Sequence, residues 1–254
     1  MQIRTDEQAT VTVTRAAGLT AAGVSDRGRV RRANEDFFVM HAEAGAFLVC
    51  DGMGGAAAGE TASHLAAETA VAALASAKRS PEVVRHAVEQ ANSAVYARAR
   101  QDRRLEGMGT TLVALVMDAE KAWIGHVGDS RCYRWRKNTL ERLTQDHSLV
   151  EEQIRIGRMT REQARRSPMQ NVITRAVGTR PDVQVDVQEL EIERDDVFLI
   201  VSDGLTRELN DAAIGGVLKN AAGDVEKACT ALLAAANAAG GRDNITCVLV
   251  RAGS

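Results

Sequence analysis

The sequence predicts an α+β fold in which antiparallel sheets carry helices packed on their outer faces. Two strand-length apolar runs come first, two helical patterns follow in succession, a group of strands comes next, and a helix precedes one final strand. Regular alternation of strand and helix would instead indicate a parallel α/β sheet. With 254 residues, 45% of them hydrophobic, the chain can bury one large core or two small ones.

The predicted strands are apolar runs rich in Val, Ile and Phe and bounded by Gly, Asp or Asn. They cover residues 37–40, 46–50, 111–117, 122–127, 183–187, 197–201 and 245–250. Apolar residues at i, i+3, i+4 and i+7 predict helices over 62–73, 84–95 and 225–236. Ser80-Pro81 is a typical start for the second helix, and Gly240-Gly241 ends the third.

Composition excludes several classes of protein. Lys+Arg 32 against Asp+Glu 34, with only 3% aromatic residues, argues against the basic, stacking surface that nucleic-acid binding needs. The first residues lack the apolar region of a signal peptide, and no apolar stretch is long enough to span a bilayer. The four cysteines are isolated in apolar runs, which is typical of buried thiols in a reducing compartment. We therefore expect a cytoplasmic protein that contacts neither membrane nor nucleic acid.

Aspartates recur at the ends of the predicted strands: Asp51, Asp129 and Asp203 follow apolar runs, and Asp243 precedes the last one. A single Asp-Gly after a strand is more often a hairpin turn. Repetition of this arrangement suggests that the aspartates share one site. Carboxylates that converge repel each other, and a bound cation or bound protons would reduce this repulsion. Oxygen ligands without a His or Cys cluster favour hard ions such as Mg²⁺ or Mn²⁺.

Other features leave alternatives open. The charged run 25–36 is most often a solvated face, although a guanidinium beside a metal–carboxylate site would bind phosphate bidentately. Residues 52–57 match the loose Gly-x-Gly-x-x-Ala dinucleotide pattern, but two helical patterns follow them in place of a second strand. The polar, Arg-rich segment 147–170 is by composition more typical of a solvated insertion than of a surface excursion over a site. The five histidines show no metal-ligand spacing.

The chain also lacks two phosphate-handling motifs. It contains no Gly-Lys pair, which excludes a Walker loop, and none of the cysteines has an arginine six residues later, which excludes a cysteine-nucleophile phosphatase.

Taken together, eight short blocks resemble the metal-dependent protein phosphatase (type 2C) family, in its bacterial serine/threonine branch. They occur in the family's order at 25–36, 51–55, 107–111, 127–131, 143–148, 171–178, 202–206 and 240–246. The resemblance implies a β-sandwich of two antiparallel sheets flanked by helices, in four layers αββα, as one catalytic domain over residues 1–254. It implies hydrolysis of phosphoserine and phosphothreonine by direct attack of a metal-bridging water, with two or three Mn²⁺ or Mg²⁺ ions.

The resemblance assigns metal-ligand roles to residues that offer oxygen donors, namely Glu35, Asp36, Asp51, Gly52, Asp129, Asp203 and Asp243. Asp51 would bridge two ions, and Asp203 and Asp243 would complete the shell of the first. Glu35 and Asp36 would act around the second ion, directly or through waters.

Four further roles follow from the same resemblance. The Gly52 carbonyl would be an additional ligand, and Asp129 together with Asp203 would hold a third, weaker ion. Arg31 matches the family's phosphate-binding arginine, so the catalytic residues would be Arg31, Asp51, Asp203 and Asp243. Segment 147–170 matches a mobile flap beside the site, which replaces the interpretation as an inert insertion.

Two residues depart from the family pattern. Met53 stands where many eukaryotic members carry a histidine assigned as general acid, and methionine cannot donate a proton. Arg207 stands where Asn or Asp is usual, which could alter contacts with the flap or substrate.

The expected partners are phosphorylated proteins and a counteracting serine/threonine kinase, with the phosphatase itself a monomer. The alternative is a catalytically inert, phosphoprotein-binding regulator of the same fold, and the retained Asp51, Asp203 and Asp243 disfavour it. A dinucleotide-dependent oxidoreductase built on residues 52–57 is a weaker alternative still.

Overall fold

The computed structural model describes residues 9–75, 78–165 and 167–253. Its strands are β1 (Thr12–Ala16), β2 (Leu19–Asp26), β3 (Asp36–His41), β4 (Ala46–Met53), β5 (Gly109–Thr110), β6 (Leu112–Met117), β7 (Lys121–Val127), β8 (Arg131–Arg136), β9 (Thr139–Arg142), β10 (Asp186–Glu191), β11 (Val197–Val201) and β12 (Ile245–Ala252). Its α-helices are α1 (Ala56–Ala75), α2 (Pro81–Gln101), α3 (Leu149–Arg155), α4 (Arg161–Arg165), α5 (Asp203–Glu208), α6 (Asp211–Ala221) and α7 (Val225–Ala239).

The strands form two sheets whose pairings are all antiparallel. The first sheet has the order β1-β2-β12-β11-β8-β9, and the second has the order β10-β7-β6-β4-β3 with β5 beside β4. β7 belongs to the second sheet and β8 to the first, so the short connection between them passes from one sheet to the other.

Three apolar clusters hold the layers together. The middle cluster joins the inner faces of the two sheets and includes the fully buried Phe47, Phe198 and Val248. A second cluster packs α1 and α2 on the outer face of the second sheet, and a third packs α5, α6 and α7 on the first sheet. Burial of these faces supplies the main favourable contribution to folding. The predicted αββα sandwich is confirmed.

Helix starts and stops follow the local sequence. The Ser80 side chain accepts a hydrogen bond from the Val83 backbone N–H at 3.3 Å, and Pro81 occupies the first position of α2. Gly240 ends α7 with a φ of 154°, a conformation that favours glycine. The predicted helices therefore lie within α1, α2 and α7.

One predicted strand is displaced, and five strands were not predicted. Pairing with β7 begins at Asp186 and continues to Glu191, so β10 lies toward the C-terminal side of the predicted 183–187. Val183 and Val185 precede the paired residues of β10 but pack on the apolar cluster that contains α1 and α2. Because they are apolar for this reason, residues 183–187 have the composition of a strand. Among the unpredicted strands, β5 has only two residues, and β1, β2, β8 and β9 are rich in Thr, Ala, Gly or Arg and lack a continuous apolar run.

All four cysteines are buried free thiols, as their apolar surroundings predict. Among the described residues, no helix combines the length and apolar character that a bilayer crossing requires.

Replacing Phe198 with alanine is expected to lower the free energy of unfolding by about 3–5 kcal/mol, because its ring fills the space between the two sheets. Met169→Ala is the control, since Met169 is 50% exposed and its loss is expected to cost about 0.5 kcal/mol or less. Urea denaturation of both variants measures the difference. A loss of less than about 1 kcal/mol for Phe198→Ala would contradict tight packing between the sheets.

Candidate active site

Five aspartates meet at one end of the sandwich, where both sheets contribute strand ends. Asp36 begins β3, and Asp51 lies near the end of β4 in the second sheet. Asp203 begins α5 directly after β11, and Asp243 lies just before β12 in the first sheet. Asp129 lies in the connection between β7 and β8. The structure thus brings together the strand-end acids that the sequence singles out.

Asp36 and Asp51 are direct cross-strand partners in the β3–β4 ladder. Like charges in this position destabilise an antiparallel pair. Burial, followed by the charge of Asp36 and then of Asp203, raises the pKa of Asp51 well above its usual value. Burial also raises the pKa of Asp36 to about 7, although hydrogen bonds from Thr246 and Ser202 oppose the shift.

Asp129 and Asp203 also carry the electrostatic cost of burial beside other carboxylates. Burial and then the charge of Asp203 raise the pKa of Asp129 to about 8. Burial likewise raises the pKa of Asp203, while the charge of Arg207 opposes this change. The buried carboxylates therefore favour protons or cations in their midst.

Hydroxyl groups from two sequence blocks fix the end of β4. The Asp51 backbone N–H donates to Thr111 Oγ1 at 3.0 Å, and the Asp51 carbonyl accepts from Thr110 Oγ1 at 2.9 Å. Thr111 Oγ1 lies 2.7 Å from Ser130 Oγ, next to Asp129. The Gly-Met-Gly-Thr-Thr and Gly-Asp-Ser blocks thus position the backbone that carries Asp51 and Asp129.

Two carboxylate oxygens face the cluster without a protein partner. Ser202 Oγ donates to Asp36 Oδ2 at 2.7 Å, whereas Asp36 Oδ1 is buried and makes no hydrogen bond. Asp129 Oδ1 is also buried without a hydrogen-bond partner. Buried polar atoms ordinarily have a partner, so these two oxygens are free to bind a ligand.

Asn244 ties the loop 27–35 to the start of β12. Its Nδ2 donates to the carbonyls of Arg27 at 3.1 Å and Ala33 at 2.9 Å, and its Oδ1 accepts from the Glu35 N–H at 2.9 Å. Sequence reasoning gave Asn244 no role, although it is part of the last matching block. Asp and Asn side chains commonly hydrogen-bond to loop backbone, so the pair Asp243-Asn244 was the available sequence signal for this role.

The glycines after Asp51 serve close packing. A Cβ on Gly52 would lie 2.1 Å from the Gly59 carbonyl oxygen, and one on Gly59 would lie 1.9 Å from Glu35 Oε2. Burial raises the pKa of the Glu35 carboxyl, and the charge of Arg31 opposes that shift. Because α1 packs on β4 and leads directly to α2, the structure gives the dinucleotide interpretation of 52–57 no support.

Arg31 lies at the rim of the cluster and pairs with Asp243. Its Nε is 2.8 Å from Asp243 Oδ1, and its Nη2 is 2.8 Å from Oδ2, a bidentate geometry. The surrounding loop lines an open depression of about 620 Å³ with Arg27, Arg29, Arg31 and Arg32. The loop that carries Arg31 is therefore strongly basic.

Arg207 reaches into the cluster itself. Its guanidinium pairs with Asp203, lies 3.2 Å from Asp243 Oδ2 and lies 3.9 Å from Asp129 Oδ2. The sequence marked Arg207 only as a departure from the family pattern. Its contacts depend on the convergence of three distant segments, which a local motif does not reveal.

The segment 147–170 is anchored beside Asp129 and carries the short helices α3 and α4. The His147 N–H donates to the Gly128 carbonyl at 2.8 Å, and His147 Nδ1 accepts from the Gly128 N–H at 3.0 Å. The Thr174 N–H donates to the His147 carbonyl at 2.8 Å and closes the base of the segment. His147 therefore positions the loop that carries Asp129.

The donor chemistry of the cluster fits a hard divalent ion. The cluster offers carboxylate oxygens, and two of these, Asp36 Oδ1 and Asp129 Oδ1, are buried and unpaired. Among the described residues, no three His, Cys, Asp or Glu side chains are already arranged to hold a metal ion. Arg31 and Arg207 both pair with Asp243, so an ion bound there would share the Asp243 carboxylate with these arginines.

Comparison with known proteins gives a consistent result. A family model described as Protein phosphatase 2C matches residues 23–249. The chain is 38% identical over 235 residues to serine/threonine phosphatase stp of Listeria welshimeri, covering 89% of this chain and 93% of that protein. It is 35% identical over 235 residues to protein phosphatase PhpP of Streptococcus pneumoniae, covering 89% and 95%.

Solved structures agree with these matches. The Mycobacterium tuberculosis serine/threonine phosphatase PstP/Ppp superposes with a TM-score of 0.87 at 34% identity, covering 93% of this chain and 99% of that chain. The PstP catalytic domain in complex with two manganese ions gives a TM-score of 0.85 at 33% identity, with the same coverage. The chain belongs to the protein phosphatase 2C family.

Proposed function

We propose that the converging carboxylates and Arg31 carry out the hydrolysis of phosphoserine and phosphothreonine in protein substrates. The observation that carries the proposal is the meeting of acids from both sheets in one buried cluster, where burial and mutual repulsion raise their pKa values. The chain is a serine/threonine protein phosphatase by its family and its named relatives.

The residues proposed to hold two or three Mn²⁺ or Mg²⁺ ions are those in or next to the cluster that offer oxygen donors, namely Glu35, Asp36, Asp51, Gly52, Asp129, Asp203 and Asp243. Asp51 has the position of a shared ligand, because the charges of both Asp36 and Asp203 act on it. When bound, the ions supply an activated water for direct attack and neutralise charge on the phosphoryl group.

Arg31 is proposed to bind the phosphate of the substrate. Its guanidinium is half-exposed at the rim and already held in bidentate geometry by Asp243, so its planar fork is oriented before substrate arrives. Asn244 fixes the backbone on both sides of Arg31 and thereby limits its reorientation. A phosphate monoester presents the oxygen pair that this fork binds.

The leaving serine or threonine oxygen needs a proton, and Met53 cannot supply it. Met53 ends β4 opposite Gly109, on the strand that carries Asp51. We propose that water held in the site protonates the leaving group, so no side chain at position 53 acts as a general acid.

We further propose that residues 1–254 act as one catalytic domain with 147–170 as a flap over the site. The backbone hydrogen bonds that close the base of this segment support that assignment, because they leave the helices α3 and α4 as a projecting excursion. A monomeric cytoplasmic enzyme that opposes a serine/threonine kinase is the setting we propose, acting without membrane or nucleic acid. An inert regulator is not favoured, since the acidic cluster is complete.

Asp203→Asn is expected to lower the rate on a phosphothreonine peptide with Mn²⁺ by roughly 100-fold or more, because it removes a charge and a ligand from the cluster. The matched control is Asp182→Asn, an exposed aspartate outside the site, which should retain full activity. Undiminished hydrolysis by Asp203→Asn, or by the unmodified enzyme in excess chelator, would show that the metal mechanism is wrong.

Arg31→Lys is expected to reduce kcat/KM for p-nitrophenyl phosphate by about 10- to 100-fold, because lysine keeps the charge but loses the bidentate fork. Arg32→Lys makes the same change on the neighbouring exposed arginine and should alter kcat/KM by about twofold or less. Equal effects of the two substitutions would mean that only the general positive charge of the loop matters.

A further inference from the structure

Arg207 is a cation built into the carboxylate cluster. It lies four residues after Asp203 on α5, so its side chain returns over the start of that helix and meets the Asp203 carboxylate. The same guanidinium spans from Asp129 Oδ2 at 3.9 Å to Asp243 Oδ2 at 3.2 Å. The positive charge of Arg207 thus interacts with carboxylates from three segments of the chain.

The contacts of Arg207 are confined to one side of the cluster. Among the described residues, its ion pairs reach Asp129, Asp203 and Asp243, and none reaches Asp36 or Asp51. The Asp36–Asp51 side therefore lacks a protein cation of this kind. Any divalent ion held between Asp129 and Asp203 would have to share or displace the guanidinium.

A guanidinium is a persistent competitor in this position. It stays protonated across the accessible pH range, and its fork matches carboxylate geometry. It is also tethered by α5, so it competes at a high effective concentration and is never diluted away. A divalent ion free in solution has no such advantage at a weak site.

We infer that Arg207 takes the place of a divalent ion between Asp129 and Asp203, so that this chain binds two ions, on the side that contains Asp51, and not three. The inference rests on the proposed function, and it makes Arg207 a positioning residue that sets the number of ions in the site. Of the residues proposed above to hold ions, Asp129 is then the one that pairs with Arg207 in this chain and takes no ion.

The test is the number of Mn²⁺ ions bound per chain, measured by equilibrium dialysis and calorimetry. The unmodified protein is expected to bind two. Arg207→Asn should gain a third site, with an affinity at least roughly 10-fold above any residual third binding in the unmodified protein. Arg207→Lys, which keeps the charge, should remain at two, and Arg242→Asn is the control because Arg242 pairs with Glu208 outside the cluster.

Asp129→Asn provides a measurement that does not depend on the folding of the Arg207 variants. On its own it should leave two ions bound to the otherwise unmodified protein. Where Arg207→Asn folds, the double variant Arg207→Asn/Asp129→Asn should also return from three ions to two.

Three bound ions in the unmodified protein, loss of one ion in Asp129→Asn, or an unchanged count in well-folded Arg207→Asn would overturn the inference. In the last case the two bound ions would leave the proposed function intact. Absence of any Mn²⁺ binding by the unmodified protein would instead refute the proposed function itself.

Discussion

Repulsion among buried carboxylates at the meeting point of the two sheets is the constraint on which the site depends. Asp36 and Asp51 face each other across one ladder, and Asp203 and Asp243 approach from the other sheet. Ionised groups this close destabilise the folded chain unless a cation lies among them. The fold therefore builds a location where a divalent ion would reduce this repulsion, and it is there that we propose the ions of phosphate hydrolysis to bind.

The surrounding hydrogen bonds hold this unfavourable arrangement in place. Thr110 and Thr111 form hydrogen bonds with the β4 backbone, and Ser202 donates one to Asp36. Asn244 donates to the backbone of the loop that carries Arg31. Each bond joins segments far apart in sequence, so the acids cannot separate without loss of several backbone contacts. Arg31 and Arg207 offset part of the negative charge, because they pair with Asp243 and Asp203 of the cluster.

Much of the fold was predictable, because long apolar runs and helical stripes report burial directly. The strands β4, β6, β7, β11 and β12 and the helices α1, α2 and α7 all follow from such patterns. The strand β8 was not predictable in this way, since its three arginines interrupt any apolar run and pair with acids. In the site, the repeated aspartates at strand ends pointed to the acids, whereas the roles of Asn244, His147 and Arg207 arise only from contacts between distant segments.

The most direct test of the central claim is thermal unfolding at pH 8 of the unmodified protein and Asp51→Asn, with chelator and with Mn²⁺. Because the folded-state pKa of Asp51 is raised, its ionisation costs stability above the unfolded-state pKa. The account predicts that Asp51→Asn has the higher Tm in chelator, by about a few degrees, and gains much less from Mn²⁺. A lower Tm for Asp51→Asn in chelator, or an equal gain of both proteins from Mn²⁺, would contradict it.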